Sequence, residues 1–228
     1  MTAQYRQHVP RPEGARRGAP PKWTEIDASA RAHIPVARVR DAFALHRLPE
    51  FAVGSAAAAV LVPIQELDGE ASVLLIRRAD DLVTDPGHIA FPGGHVEADE
   101  PPLDAALRET EEEIGLFRSE VEVIGAFPAI GRRQGEGRVA PFVGVISERP
   151  ALTPDHLEVA EVIEVPIASL ASDGASWQEV WSSGADEFEM TFFAGIPELR
   201  SELVWGLSAR ILAMVLSRVL TGGQKPSE

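Results

Sequence analysis

The residues best suited to chemistry in this sequence are three closely spaced glutamates, Glu109, Glu112 and Glu113. At intervals of three and four residues their side chains fall on one face of an α-helix, where like charges repel each other. A divalent cation between them would turn this repulsion into attraction, and Mg²⁺ or Mn²⁺ takes oxygen ligands of this kind. The spacing therefore predicts a metal-binding helix face, with a solvated acidic surface as the plain alternative.

The segment around the glutamates has the signals of a helix that packs on a sheet. Four residues recur at helical intervals on the opposite side, namely Leu103, Leu107, Thr110 and Ile114. We expect Asp99 to cap this helix, Pro101 to lie in its first turn and Gly115 to end it. Gly94 precedes the helix in a glycine loop whose backbone carbonyls can also face a metal.

One motif joins all of these residues. From Gly94 to Leu116 the sequence follows G-x5-E-x7-R-E-U-x-E-E-x-G-U, where U is apolar and Thr110 takes one U position. A chance match to so many fixed positions is improbable. On this motif the chain resembles a Nudix hydrolase, an enzyme that cleaves a diphosphate bond with a divalent metal.

The resemblance implies a role for each residue of the motif. In Nudix hydrolases the motif forms a loop–helix–loop on an αβα sandwich with a mixed sheet. The implied metal ligands are Glu109, Glu112 and Glu113, completed by a backbone carbonyl at Gly94 or Gly93. Arg108 is implied to orient these carboxylates through charge-assisted hydrogen bonds, and Glu100 to fix the loop.

The implied chemistry is metal-assisted hydrolysis, with Glu109, Glu112 and Arg108 as catalytic residues. Bound Mg²⁺ neutralises the diphosphate, stabilises charge in the transition state and lowers the pKa of the attacking water. A carboxylate then accepts the proton of that water. Glu158 is our candidate for this base, with Glu161 as a second candidate, and ordinary surface charge is the alternative for both.

The flanks of the motif resemble the coenzyme A diphosphatases, which cut coenzyme A or its derivatives into 3′,5′-ADP and 4′-phosphopantetheine. The likeness extends from residue 55 to residue 220 and rests on segments 74–79, 91–94, 141–144 and 204–212 together with Gly87. Our candidates for substrate binding are Arg77, Arg78, Phe91 and Gly93.

Departures in the same flank leave the substrate open. Ile76 and Val83 stand where that pattern usually has threonine and arginine, and an arginine facing a phosphate is a large part of nucleotide recognition. Other arginines that can supply charge, or be plain surface residues, are Arg77, Arg78, Arg132, Arg133 and Arg138. The alternatives are ADP-ribose or a dinucleotide as substrate, and a catalytically silent ligand sensor, although such sensors commonly lose carboxylates that this chain keeps.

The composition limits the partners. A formal net charge of −14 argues against nucleic acid and leaves a small nucleotide as the expected partner. The absence of cysteine excludes a thiol nucleophile and a disulfide scaffold. No apolar run is long enough for a bilayer or a secretory leader, so we expect a cytoplasmic protein without membrane contact. Apolar surface on the C-terminal helix and on residues 23–50 can serve a homodimer or the core of one chain.

The order of elements predicts an α/β (α+β) sandwich with a mixed sheet and helices outside it. We expect a mobile tail over 1–22, a helical extension over 23–50 and the Nudix-like domain over 51–222. The predicted helices cover 36–46, 101–114 and 199–220. The predicted strands cover 56–64, 71–77, 89–91, 121–127, 139–147, 159–165, 177–181 and 187–193. Leu67, Asp68, Gly69 and Glu70 predict a tight hairpin turn between the first two strands.

Overall fold

The computed structural model of the chain describes residues 5–44, 51–131, 137–184 and 186–222. Its helices are α1 (Ala28–Arg31), α2 (Val36–Ala44), α3 (Pro102–Ile114), α4 (Ile167–Leu170) and α5 (Gly206–Thr221). Its strands are β1 (Arg16–Arg17), β2 (Ala58–Leu67), β3 (Glu70–Arg78), β4 (Ile89–Ala90), β5 (Gly93–His95), β6 (Val121–Ala126), β7 (Ile130–Gly131), β8 (Arg138–Ile146), β9 (Val159–Pro166), β10 (Ser176–Ser183) and β11 (Asp186–Phe193).

The main sheet is built around the hairpin of β2 and β3. Asp68 and Gly69 both have positive φ angles, 52° and 83°, as the tight hairpin turn predicted at these residues requires. On the side away from β3, β2 pairs in parallel with β8, which in turn pairs antiparallel with β6. On the other side β3 pairs antiparallel with β9, so the sheet is mixed as predicted.

A split in this sheet holds the glycine loop. The two strands of the hairpin pair with each other only next to the turn, where residues 64–67 of β2 face residues 70–73 of β3. Beyond that point β4 pairs with β3 and β5 pairs with β2, so the segment between them fills the gap. The backbone N–H of Leu61 donates to the carbonyl of Pro92 at 2.9 Å within the gap. The loop before α3 is therefore part of the sheet.

Helices cover both faces of the sheet, which confirms the predicted sandwich. Alternate residues of β2 point to opposite faces. Leu61 joins the apolar cluster of α3, which includes Leu107 and Ile114. Val62 joins the cluster of α2 and α5 on the other face. The apolar surfaces of α5 and of the 23–44 segment are thus used in the core of one chain, and a homodimer stays a prediction.

A second, small sheet consists of β1, β10 and β11. Trp181 and Phe192 lie in its own apolar cluster, with Val9 from the N-terminal segment. Arg16 of that segment pairs with Val180 of β10. The composition of residues 1–22 predicts a tail. It does not predict the contacts of this segment with β10 and β11, because those strands lie more than 150 residues further along the chain. The proposed domain boundaries stay a prediction.

Two helix starts differ from the predicted ones. Asp99 does not cap α3: it has a φ of 65°, and Pro101 is the N-cap residue without a side-chain hydrogen bond. The C-terminal helix begins at Gly206, not at residue 199, because Arg200 has a positive φ of 52° and the N-cap residue Trp205 is extended, with a φ of −147°. Gly115 ends α3 in the left-handed conformation as predicted.

The helix predicted over 36–46 is observed to Ala44, and residues 45–50 lie outside the described part. No helix among the described residues combines the length and the apolar character needed to cross a membrane.

Candidate active site

Two glycines make room for the site at the start of α3. Gly93 has a φ of 139°, and a Cβ there would lie 2.3 Å from the carbonyl oxygen of Ala59. A Cβ on Gly94 would lie 2.4 Å from Oε2 of Glu109. The first glycine lets the loop enter the sheet, and the second lets a carboxylate approach the loop backbone.

Arg108 is the centre of an ion-pair network on α3. Its Nε donates to Glu100 at 3.0 Å, and its Nη1 donates to both Glu109 and Glu112 at 3.0 Å. Its Nη2 donates to the carbonyl of His95 at 3.1 Å. The hydrogen bond to Glu100, together with the charge of Glu109, raises the pKa of Arg108 in spite of burial. One guanidinium therefore holds two of the predicted metal ligands and the loop before the helix.

Glu100 joins the loop to this network. Its Oε2 accepts a hydrogen bond from the backbone N–H of Glu97 at 3.0 Å. The hydrogen bond from Arg108, followed by that from Glu97, lowers the pKa of Glu100. The carboxylate thus stays charged and braces the loop, which is the position that the resemblance implies for it.

Glu113 is the buried carboxylate of the site, with 3% of its surface exposed. Its Oε2 accepts a hydrogen bond from the backbone N–H of Gly93 at 2.8 Å, and its Oε1 lies 3.9 Å from Nη1 of Arg78. Burial raises the pKa of Glu113 to about 7, against the effects of Gly93 and Arg78. The charges of Glu109 and Glu158 raise it further.

The three glutamates differ in environment although they share one side of the helix. The side chain of Glu112 is 61% exposed, that of Glu109 is 19% exposed and that of Glu113 is 3% exposed. Among the residues that the structure describes, no three acidic or histidine side chains are arranged around one point as metal ligands. Arg108 and the Gly93 N–H hold the carboxylate oxygens instead. The role of the three glutamates as metal ligands stays a prediction.

The donor chemistry nevertheless fits a hard divalent cation. The charges of Glu109 and Glu158 both act on the buried Glu113. Burying a carboxylate beside two others costs free energy unless a cation compensates the charge. The oxygen donors are of the kind that Mg²⁺ and Mn²⁺ bind.

The two candidate bases occupy different surroundings. Glu158 lies at the start of β9, where its carbonyl accepts from the N–H of Ala79 at 2.8 Å and its charge acts on Glu113. Glu161 instead forms an ion pair with Arg200 at 3.1 Å. Of the two, only Glu158 is electrostatically coupled to the glutamates of α3 in the described structure.

The two arginines at the end of β3 face the loop between β3 and β4. Arg77 donates from Nη1 to Asp80 at 2.7 Å, and its buried Nε has no partner among the described residues. Arg78 donates from Nη2 to the carbonyl of Thr84 at 3.3 Å, besides its approach to Glu113. Both guanidiniums therefore lie at the loop beside the site.

The remaining candidates are more dispersed. Phe91 is 3% exposed and belongs to the apolar cluster under α5, so its contact with substrate stays a prediction. Arg138 donates to the carbonyl of Ala129, and Arg132 and Arg133 lie outside the described residues. Sequence patterns did not indicate Gln7, whose partners are 80 and more residues away along the chain.

Comparison with known proteins agrees with this geometry. The model of the NUDIX domain family matches residues 55–183, which include the whole loop and α3. The chain belongs to the Nudix family. Nudix hydrolase 3 of Caenorhabditis elegans is 33% identical over 75% of this chain and 76% of its own length. The uncharacterized Nudix hydrolase NudL of Yersinia enterocolitica is 31% identical over 74% of this chain and 84% of its own length.

Among solved structures, the MutT/nudix family protein from Enterococcus faecalis is 21% identical, with a TM-score of 0.47. The match covers 82% of this chain and 70% of that one. The family match and the Nudix relatives of this chain show that it is a hydrolase of phosphorus-containing anhydrides, as the Gly94–Leu116 motif predicts. The expected partner is therefore a small nucleotide derivative.

Proposed function

We propose that the chain hydrolyses the diphosphate bond of coenzyme A or acyl-coenzyme A, giving 3′,5′-ADP and a 4′-phosphopantetheine product. The observation that carries diphosphate hydrolysis is the network in which Arg108 holds Glu109 and Glu112 beside the buried Glu113. The choice of coenzyme A rests on the resemblance of segments 74–79, 91–94, 141–144 and 204–212 to the coenzyme A diphosphatases. A diphosphate and this acidic site can approach each other only with a cation between them.

The residues that would hold Mg²⁺ or Mn²⁺ are Glu109, Glu112 and Glu113, with the carbonyl of Gly94. When bound, the metal neutralises the diphosphate and makes water a better nucleophile. The chain supplies the rest. Arg108 keeps two carboxylates in place, and the N–H of Gly93 keeps the third. Glu158 accepts the proton of the attacking water.

Substrate orientation falls to Arg77 and Arg78. Both guanidiniums lie beside the β3–β4 loop, and Arg78 approaches Glu113 to 3.9 Å. A guanidinium in this place can bind phosphate oxygens through paired hydrogen bonds.

A second candidate substrate is ADP-ribose or a dinucleotide. The observation in its favour is Val83, which is fully exposed on the β3–β4 loop at a position where coenzyme A diphosphatases usually have arginine. A valine there offers no contact to a phosphate group. The same metal site would serve either substrate.

The decisive experiment is a substrate panel with Mg²⁺ that includes coenzyme A, acetyl-coenzyme A, ADP-ribose and a diadenosine polyphosphate. Mass spectrometry of the products after reaction in ¹⁸O-labelled water identifies the broken bond and the phosphorus that water attacks. We expect 3′,5′-ADP and a phosphopantetheine. Faster turnover of ADP-ribose would favour the second candidate, and no turnover of any diphosphate with Mg²⁺ or Mn²⁺ would contradict both.

A further inference from the structure

A buried glutamine of the N-terminal segment contacts the loop beside the site. Gln7 is 9% exposed, and its side chain is fully hydrogen-bonded. Its Nε2 donates to the carbonyl of Gly87 at 3.0 Å and also to the carboxylate of Glu202. Its Oε1 accepts from the N–H of Leu203 at 2.8 Å. One side chain thus joins the N-terminal segment, the β3–β4 loop and the segment before α5.

Gly87 transmits this contact to an arginine proposed to bind substrate. It has a φ of 67°, and a Cβ there would lie 2.9 Å from Oδ1 of Asp80 and 3.9 Å from Nη1 of Arg77. Gly87 therefore packs directly against the Arg77–Asp80 ion pair. A shift of the Gly87 backbone would displace that pair.

The same loop also holds Arg78. The backbone N–H of Arg78 donates to the carbonyl of His88 at 3.0 Å, and its guanidinium donates to the carbonyl of Thr84. The ring of His88 lies 5.5 Å from that of Trp205, on the segment that also carries Glu202. The loop is therefore fixed to the 202–205 segment at two adjacent residues.

From these contacts we infer that Gln7 is a positioning residue, which holds the β3–β4 loop so that Arg77 and Arg78 meet the diphosphate of the substrate. The inference rests on the proposed function for the role of the two arginines. Gln7 does not itself touch the reacting atoms. Its loss should weaken substrate binding more than turnover, because the carboxylates of α3 stay in place.

The alternative is that Gln7 only satisfies buried polar groups, and an exchange of partners separates the two roles. In the double variant Gln7→Glu/Glu202→Gln the amide at 202 donates to the carboxylate at 7, which still accepts from the N–H of Leu203. The hydrogen bond to the carbonyl of Gly87 is replaced by repulsion between two oxygens, since a carboxylate has no donor. The ion pair of Arg6 with the carboxylate at 202 is also lost, and Arg6→Ala measures that effect alone. Gln178→Ala is the matched control, since it removes a glutamine contact within the small sheet.

We expect the double variant to raise KM for the best diphosphate substrate about twofold to tenfold, the effect of one lost hydrogen bond. Its kcat should stay near that of the unaltered protein, because the carboxylates of α3 are not altered. Hydrogen exchange of the peptide over 79–88 should become faster in the double variant and not in Gln178→Ala.

An unchanged KM together with unchanged exchange of this peptide would overturn the inference. If the unaltered protein cleaves no diphosphate, the proposed function fails, while the exchange measurement still decides whether Gln7 holds the loop.

Discussion

Nη1 of Arg108 donates to both Glu109 and Glu112 at 3.0 Å, so one nitrogen bridges two carboxylates that would otherwise repel each other. The arginine precedes them by one and four residues on α3. Helical spacing places Glu112 within reach of both Arg108 and Glu109, and the long arginine side chain also turns back to its neighbour Glu109. The chain's own positive charge therefore holds both carboxylates in place.

Glu112→Gln should abolish most of the activity without unfolding the protein. The side chain is exposed and its removal leaves no buried charge, so the melting temperature should stay near its original value. We expect kcat with Mg²⁺ to fall about 100-fold or more, as on loss of a group that stabilises transition-state charge. Glu111→Gln, one residue earlier on the same helix, is the control. Equal activity of the two variants would contradict the role of Glu112.

Arg108→Lys should weaken the metal site while it keeps the charge. A lysine carries all of its N–H donors on one nitrogen. It therefore cannot reach Glu100 and, at the same time, Glu109 and Glu112, as the nitrogens of the guanidinium do. We expect the Mg²⁺ concentration for half-maximal activity to rise about 10- to 100-fold, as for groups that orient metal ligands. Arg149→Lys, whose partner is Glu164 of β9, is the control. A Mg²⁺ dependence like that of the unaltered protein would disprove this role.

Gly93→Ala should destabilise the fold strongly. The added Cβ would meet the backbone of Ala59 at 2.3 Å inside the sheet, at a φ of 139°. We expect the free energy of unfolding in urea to fall by about 3 kcal/mol or more. Gly195→Ala is the control: its φ is 73° but nothing lies within 4 Å of the added Cβ, so it should cost about 1 kcal/mol. Similar losses in both variants would show that the contact with Ala59 is relieved.

Glu179 should make the small sheet sensitive to acid. Burial raises the pKa of this carboxyl, but hydrogen bonds from Arg11, Trp181 and Trp177 outweigh that effect, and the net pKa is lowered. Because the folded pKa lies below the unfolded one, the charged form contributes stability above the ordinary glutamate pKa. That contribution is lost as the pH falls through the folded pKa.

The measurement is the free energy of unfolding of the unaltered protein and of Glu179→Gln as the pH is lowered. We expect the unaltered protein to be more stable at pH 7 and the difference to shrink below the ordinary glutamate pKa. Glu148→Gln, an exposed carboxylate without an ion pair among the described residues, is the control. A difference that stays constant down to acid pH would contradict the prediction.

Local patterns predicted the elements whose signals are local. The positive φ angles of Asp68 and Gly69, and the end of α3 at Gly115, follow from residues beside them in sequence. The start of α5 was not predicted, because the apolar pattern runs on through Arg200 and Trp205, where the backbone is not helical. The positive φ of Arg200 is unfavourable for a residue with a side chain, so no local sequence signal predicts it.

The same distinction applies to the candidate site. Spacing along α3 suffices to place Glu112 beside Arg108 and Glu109. It does not predict that Glu113 is buried, since that depends on the entry of β5 into the sheet. Nor does it predict Gln7, whose hydrogen-bond partners in the 202–203 segment lie almost 200 residues further along the chain.

The split between β2 and β3 has a further consequence for how the protein loses activity on heating. The loop that carries Gly93 and Gly94 is bonded to central strands on both sides, so it cannot detach while those strands remain joined. Loss of activity on heating should thus coincide with melting of the whole domain, without an earlier inactive but still folded stage.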